Sequence, residues 1–477
     1  MLVVAIKLNS MRLKYKPYAL DCAIVLLLSI AIIYLFYPGF MSYDSWKQLY
    51  DAKNRHIGDA HPPIMSMIWR GLDAVYPGPA LMLILQVALF SVSLAFVAIR
   101  LAPHPVGRLP FLLLLIFPPS LGIIGIIWKD VWMHGFLLGC LAVALYCHHA
   151  QGRARIALLV AFSAMAFMAA TFRHNAVAAI PPFAMLAFYG VASRPTVSRL
   201  RNFTVTALIS LVFTAVVLFV NGLVTRVLAD YHENFSQVLM TFDVAGTSSL
   251  SGRRLFSSGY ADMVDDTVTV ADIQARYTPR FHSCLYNPCT AGPGIFRTSM
   301  KQSELDHLRK DWLLAIVTEP RAWMEHKYHV AREIIRLGTL EIWAPTLEDP
   351  LFPNDWGITF NDTPVRAAFR KMIFAASGTW IYNTYMYLAG AVVVGFMAAA
   401  GLLWTQWPRG AAGGCTGPCR KRNALRNISF LRGYQCRFSI LCLADYLYLA
   451  GYLFICLSLD CRPAVMSRVC WRRLLPD

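Results

Sequence analysis

Three short stretches of this chain set titratable side chains against apolar runs. In "SYDSWKQLYDAKNRHIGDAHPP", residues 42–63, Asp44, Lys47, Gln48 and Asp51 recur at i, i+3, i+4 and i+7. That spacing puts all four on one face of a helix. His61 follows, directly before Pro62–Pro63; "IIWKDVWMHG" supplies Lys129 and Asp130, and "TFRHNAVAAIPP" supplies Arg173, His174 and Asn175. A carboxylate with an imidazole nearby can take a proton from a hydroxyl. Lysine and arginine can neutralise a phosphate. Each group also has a purely structural reading. Asp44 could only favour a helix start, His61 could be packed in its turn, Lys129–Asp130 could snorkel as a pair, and Arg173 could hold a lipid phosphate without selectivity. Their shared sidedness, described next, is what favours a site.

The elements that must position these groups are membrane helices. Of 477 residues, 57% are hydrophobic and 15% charged, and the mean hydropathy is +0.48; soluble domains carry about 25% charged residues. Runs of about 20 apolar residues suffice to cross a bilayer core. The sequence therefore predicts an all-α polytopic membrane protein. Nine transmembrane helices are expected, near 20–38, 79–99, 110–127, 133–149, 156–171, 178–192, 203–227, 380–404 and 437–459. The first run lacks a small-residue cleavage site and reads as a signal anchor. Residues 1–19 hold Lys7, Arg12, Lys14 and Lys16 and no acid, and the even-numbered turns (Arg100 and Arg108; Arg153 and Arg155; Arg194, Arg199 and Arg201) are likewise basic and acid-free. The positive-inside rule makes those segments cytoplasmic, with the N-terminus inside. The net charge of +17 then reports topology and contact with anionic membrane lipids, and no nucleic-acid partner is expected.

This topology faces three regions outward: the first external loop 39–78, the turns at 128–132 and 172–177, and an insert at 228–379. The expected domains are an N-terminal transmembrane catalytic module, 1–227; a mostly helical extracytoplasmic insert, 228–379; and a C-terminal transmembrane region, 380–477, with a Cys/Arg-rich tail. In the loop, Ser42 is a plausible N-cap for a surface helix, and "PPIMSMIWRGLDAVYPGP" reads as a second helix with a proline start and a Pro-Gly stop. In the insert, "QSELDHLRKDWLLAIVTEPRAWMEHKYHVAREIIRLG" has the period of two helices broken at Glu319–Pro320. Cys284 and Cys289, flanking a proline turn on the outward side, suggest a short-loop disulfide. Cys415 and Cys419 are too few for a zinc site. A divalent cation between Asp130 and His61 is the one cofactor this pattern suggests, and one Asp with one His is too small a ligand set to assign a metal.

The stretches "YDSWKQLYDAKNRHIGDAHPPIMSMIW", "WKDVW" and "RHNAVAAIPP", with Asp-Ser-x-x-Gln after the first span, His-Pro-Pro before the second, Lys-Asp after the third and Arg-x-Asn after the fifth, resemble a bacterial group of membrane proteins. That group is related to the type-C glycosyltransferases, the superfamily of protein mannosyltransferases and aminoarabinose transferases. The resemblance covers about 20–185, with a fainter echo in "TFDVAGTSS" at 241–249. It departs at the C-terminus, where family members usually add further spans. It implies a glycosyltransferase of the bacterial inner membrane, moving a sugar from a polyprenyl-phosphate donor to a glycan, lipid or protein acceptor of the cell envelope, outside the cytoplasm. By position Asp44 would be the catalytic acid of the first external loop, acting as general base. Its basicity is expected to be raised by partial burial. Asp130 and His61 would position the reacting groups, Lys129 and Arg173 would neutralise the departing phosphate, and Lys47, Gln48, His174 and Asn175 would contact substrate. A transporter or flippase of lipid-linked sugars, or a polysaccharide polymerase, is the alternative. A transporter should carry its polar groups near the membrane midplane, often in repeated halves, and no internal repeat is present here.

Overall fold

The computed structural model describes residues 2–147, 150–192, 198–289, 291–337 and 345–393. Every regular element among them is helical, apart from isolated β-bridges. In chain order the helices of the first half are α1 (Leu2–Phe36), α2 (Tyr43–Asn54), α3 (Pro63–Val75), α4 (Ala80–Leu101), α5 (Pro105–Leu112), α6 (Pro118–Ile124), α7 (Lys129–Cys147), α8 (Gly152–Phe172), α9 (Ile180–Ala192) and α10 (Arg199–Leu228). The second half holds α11 (Ser236–Ser251), α12 (Val270–Arg276), α13 (Ser283–Tyr286), α14 (Gln302–Thr318), α15 (Pro320–Ile335) and α16 (Pro364–Ser377).

Five helices among the described residues are long and apolar enough to cross a membrane: Tyr18–Phe36, Ala80–Leu101, Lys129–Cys147, Gly152–Phe172 and Leu200–Leu228. A sixth arises if the bent pair Pro105–Ile116 and Pro118–Ile124 is one span. Of the nine expected spans, those at 110–127 and 178–192 differ among the described residues, and the last two are not fully described. The run at 110–127 turns by 53° where Pro118 and Pro119 deny the helix its backbone donors. The run at 178–192 yields α9, whose 13 residues are too few to cross a bilayer alone. Of the run at 380–404 the described part reaches Val393, in a short apolar helix Thr384–Val393. The run at 437–459, with Asp445, lies outside the described residues, as do Cys415, Cys419 and the basic tail.

The central helix is α7, whose side chains are buried along almost its whole length against α4, α8 and α9. Gly135 makes this fit possible: a Cβ there would come within 2.9 Å of the Leu89 side chain. Small residues at such a seam let two backbones approach closely. Short links bring the ends of the helices together at one end of the bundle. Phe40, after α1, bridges Ile126, just before α7, and Gly58, after α2, bridges Tyr231, after α10. Arg100 and Arg108 lie at the other end, where Arg100 Nε donates to Leu145 O at 3.2 Å and Arg108 meets Asp21 of α1 at 2.5 Å.

The segment 228–379 divides between two cores. Phe242, Val244, Phe256, Ile273, Leu285, Phe296 and Leu308 build a separate core within 240–330. Residues 345–377 instead return to the membrane helices, where Phe369 and Ile373 join the first core. The break expected at Glu319–Pro320 separates α14 from α15. Cys284 and Cys289, where a disulfide was expected, are two free thiols. Burial and a hydrogen bond to Cys289 push the Cys284 thiol up to about 11.

Candidate functional site

The loop at 39–78 folds locally as its punctuation dictates. Ser42 takes extended geometry and opens α2, and Asp44 falls in its first turn, where the helix dipole favours a carboxylate. Ser42 Oγ accepts from Trp128 Nε1 at 2.7 Å, and Ser45 Oγ donates to Ile127 O at 2.6 Å. These two bonds tie the start of α2 to the start of α7, which brings Asp44 to Lys129. Arg55, left-handed at φ 55°, ends α2. The chain then bends through Asp59, Ala60 and His61 into an extended Pro62, and Pro63 begins α3.

The loop carrying His61 is held by acids that the sequence did not mark. Asp230 accepts from the backbone N–H of Ile57 at 2.8 Å. Asp59 accepts from the Glu233 N–H at 2.7 Å and from His232 at 2.8 Å. Gly58 lies so close to Tyr231 that a Cβ would sit 2.6 Å from its ring. The end of α10 is therefore the clamp that sets the His61 position.

Lys129 is the hub of the site. Its Nζ lies 3.3 Å from Asp44 Oδ2 and 3.1 Å from His61 Nδ1. An ammonium group only donates, so His61 accepts at Nδ1 and carries its proton on Nε2. Next along α7, Asp130 Oδ1 lies 2.9 Å from Arg173 Nε, with both side chains largely buried. Asp44, His61, Lys129, Asp130 and Arg173, drawn from four separate parts of the chain, thus converge. Lys129 and Asp130 occupy the first turn of α7 rather than a free turn at 128–132, which fixes their direction to the helix axis.

The electrostatics depart from the expectation of a strengthened base. Burial alone would push the Asp44 carboxyl up, but the charge of Lys129, with lesser contributions including Arg173, outweighs it and holds Asp44 below the usual carboxylate range. Burial is the largest single influence on this carboxyl, but Lys129 acts twice, through its charge and through its hydrogen bond, and with the other contributions it outweighs the desolvation of a side chain still 28% exposed. His61 moves the other way for a base. Burial, then Lys129, drive its ring down to about 3, so it is neutral at physiological pH.

The other sequence candidates are distributed around this centre. Lys47 Nζ donates to Asp51 Oδ1 and to Tyr231 OH, both at 2.6 Å; these bonds override burial and hold Lys47 protonated well above its ordinary value. Gln48 is buried, and its Nε2 has no hydrogen-bond partner among the described residues. A buried donor left without an acceptor is costly, and a ligand oxygen would relieve it. His174 is turned toward α10, where Asn221 Nδ2 lies 3.3 Å from its Nδ1. Asn175 lies half-buried in the same 3-10 turn, His174–Ala178. Tyr231 was missed, because a tyrosine beyond a distant span gives no local signal. Among the described residues no group of three or more His, Cys, Asp or Glu is gathered to hold a metal ion.

Compared with known protein families, curated proteins and solved structures, the chain has no match. The fold and site define it as an all-α protein with five or six membrane-spanning candidates and a charged cluster at one end of the bundle.

Proposed function

We propose that this protein is an integral membrane glycosyltransferase that moves a sugar from a polyprenyl-phosphate donor to a cell-envelope acceptor, with Asp44 as general base. The observation that carries the reading is the sharing of one lysine: Lys129 Nζ reaches both Asp44 and neutral His61, beside the Asp130–Arg173 pair. In the resting site Lys129 keeps Asp44 ionised and weakly basic. A donor phosphate would compete for Lys129. Losing that ion pair, Asp44 would become a stronger base as the donor settles. The acceptor hydroxyl gives its proton to Asp44, its oxygen bonds to the anomeric carbon, and the carbon–oxygen bond to phosphate breaks with its electron pair going to the phosphate. Lys129 and Arg173 stabilise that departing charge. A single displacement of this kind inverts the anomeric centre, which NMR of the product would read.

We place the site on the outer face of the bacterial inner membrane with the N-terminus inside, because Arg100, Arg108, Arg153 and Arg155 belong to the opposite helix ends. The polar groups cluster at a helix mouth rather than at mid-helix, which favours transfer over transport. The test is a deletion strain rescued with wild type or Asp44→Ala, followed by analysis of envelope glycans and lipid-linked intermediates. Transfer predicts that Asp44→Ala loses one sugar decoration while its lipid-linked donor accumulates. Full rescue by Asp44→Ala would overturn the reading.

A further inference from the structure

We propose that the aromatic ladder running along α2 from beside Asp44 to a cavity at Tyr76 and Trp356 binds a short oligosaccharide, the acceptor whose end reaches the Asp44–Lys129 site. This rests on the transferase reading and names the acceptor as a glycan.

The face of α2 next to the charged one carries Tyr43, Trp46, Tyr50 and Lys53, at spacings of three, four and three residues. Its rings form a continuous series with the loop before α16. Tyr43 and Trp46 lie 5.9 Å apart with planes at 29°, Trp46 and Tyr50 lie 5.2 Å apart at 32°, and Trp46 and Trp356 lie 6.1 Å apart at 25°. Tyr43 and Tyr50 keep 39% and 43% of their surface exposed. The loop bearing Trp356 is braced: Asn354 accepts from the N–H groups of Trp356 and Ile358 at 3.2 and 3.1 Å and donates to Ile358 O at 3.0 Å. The series begins one residue from Asp44 and ends near Lys53. Nine residues of helix span about 14 Å.

At that end lies a cavity of about 400 Å³, bounded by Tyr37, Tyr76, Lys53, Trp356, Thr359 and Asn361. The volume falls within the range of small-molecule sites, about 300–1,000 Å³. Its chemistry combines ring faces with hydroxyl, amide and ion-pair groups. A pyranose presents an apolar C–H face that stacks on an aromatic ring and hydroxyls that both donate and accept.

The cations here point to a neutral ligand rather than a phosphate. Lys53 Nζ is held by Asp73 Oδ2 at 2.9 Å and lies 5.6 Å over the Trp356 ring. Arg366, the other cation at the cavity, spends its donors on backbone: Nε and Nη2 on Tyr34 O at 3.1 and 2.8 Å, and Nη1 on Asn361 O at 2.7 Å. An aromatic belt that merely marks a bilayer boundary would not need a braced loop stacked onto a surface helix.

The test measures binding, not transfer. The purified full chain in nanodiscs is titrated with maltotriose, mannotriose and triacetylchitotriose, read by saturation-transfer NMR and tryptophan fluorescence. At least one trisaccharide is expected to bind, its monosaccharide at least tenfold more weakly, and Trp356→Ala to weaken binding at least tenfold. Tyr76→Ala, at an exposed rim position, is expected to weaken it several-fold and guards against misfolding of the Trp356 variant. If none of the three binds, or if both variants bind as wild type does, the proposal is wrong. If the substitutions change only partition into lipid, the ladder is a membrane anchor and the proposal is wrong. These failures leave the transferase reading standing when Asp44→Ala still loses a sugar decoration. Trisaccharide binding together with full rescue by Asp44→Ala keeps the glycan site and removes the reaction.

Discussion

Lys129→Met should raise the pH at which Asp44 titrates. Methionine keeps the apolar stem that packs at the start of α7 and removes only the charge. The two charges stand 3.3 Å apart. Coulomb's law gives about 5 kcal/mol at that distance for an effective dielectric of about 20, and about 1.3 kcal/mol in water. Asp44 is partly exposed, so the true value lies between these limits. At 1.36 kcal/mol per pH unit, these limits correspond to Asp44 titrating about one to four pH units higher. His61 should respond too, because Lys129 is the second cause, after burial, of its low value of about 3; without it the ring protonates at higher pH. The assay is carbon-13 NMR of protein labelled at the aspartate carboxyls, in nanodiscs, with the Asp44→Asn spectrum subtracted to identify the resonance. If Asp44 titrates at the same pH in wild type and Lys129→Met, the hub role of Lys129 fails, and with it the idea that a donor phosphate switches the base on.

Two further outcomes follow from buried charge. The His61 ring stays neutral in the fold to about pH 3, whereas in the unfolded chain it takes a proton near pH 6.5. Because the folded value is the lower one, the stability at stake is complete above about pH 6.5 and is lost as pH falls toward 3. Thermal unfolding at pH above 7 and near 5 should show His61→Gln gaining on wild type at the acid condition, and an unchanged difference would refute it. At the opposite end of the bundle, Asp21 and Arg108 are almost fully buried as a pair 2.5 Å apart. Asp21→Leu strands the guanidinium and should cost roughly 3 kcal/mol, the low end of the range for a broken buried pair, because Arg108 keeps Ala102 O and Pro103 O as acceptors at 2.9 and 2.8 Å. Asp21→Leu with Arg108→Leu should cost far less, and equal losses in denaturant melts of the two variants would sink this.

Local punctuation made much of the architecture readable. Ser42, the Pro62–Pro63 pair and Pro320 mark helix starts that the structure keeps at α2, α3 and α15, because capping and proline geometry act within a turn. The side-chain period also told which residues of α2 share a face. What escaped depends on partners far along the chain. Tyr231, Asp230 and Asp59 form the clamp on the His61 loop across more than 170 positions, and no local pattern encodes such a pairing. Asp21 lies inside a run read as uniformly apolar, and only its contact with Arg108 explains it. The direction of the Asp44 shift was misjudged because desolvation can be inferred from a hydrophobic neighbourhood, while the groups that together outweigh it come from far along the chain, Lys129 from 85 residues away. The run at 110–127 was read by hydropathy alone, and the proline pair at its centre, visible in the sequence, decided its bend.

Residues 345–377 close the end of the first helix from the far side of the chain. Phe369 packs on Phe36 and Phe360 on Phe40, each at 5.3 Å between ring centres, and Met41 donates to Pro350 O at 2.9 Å. The end of α1 is therefore covered by a segment that follows it by more than 300 residues. A chain cut after α10 would keep Asp44 and Lys129 but leave Phe36 and Phe40 without the rings of Phe369 and Phe360, exposed to water.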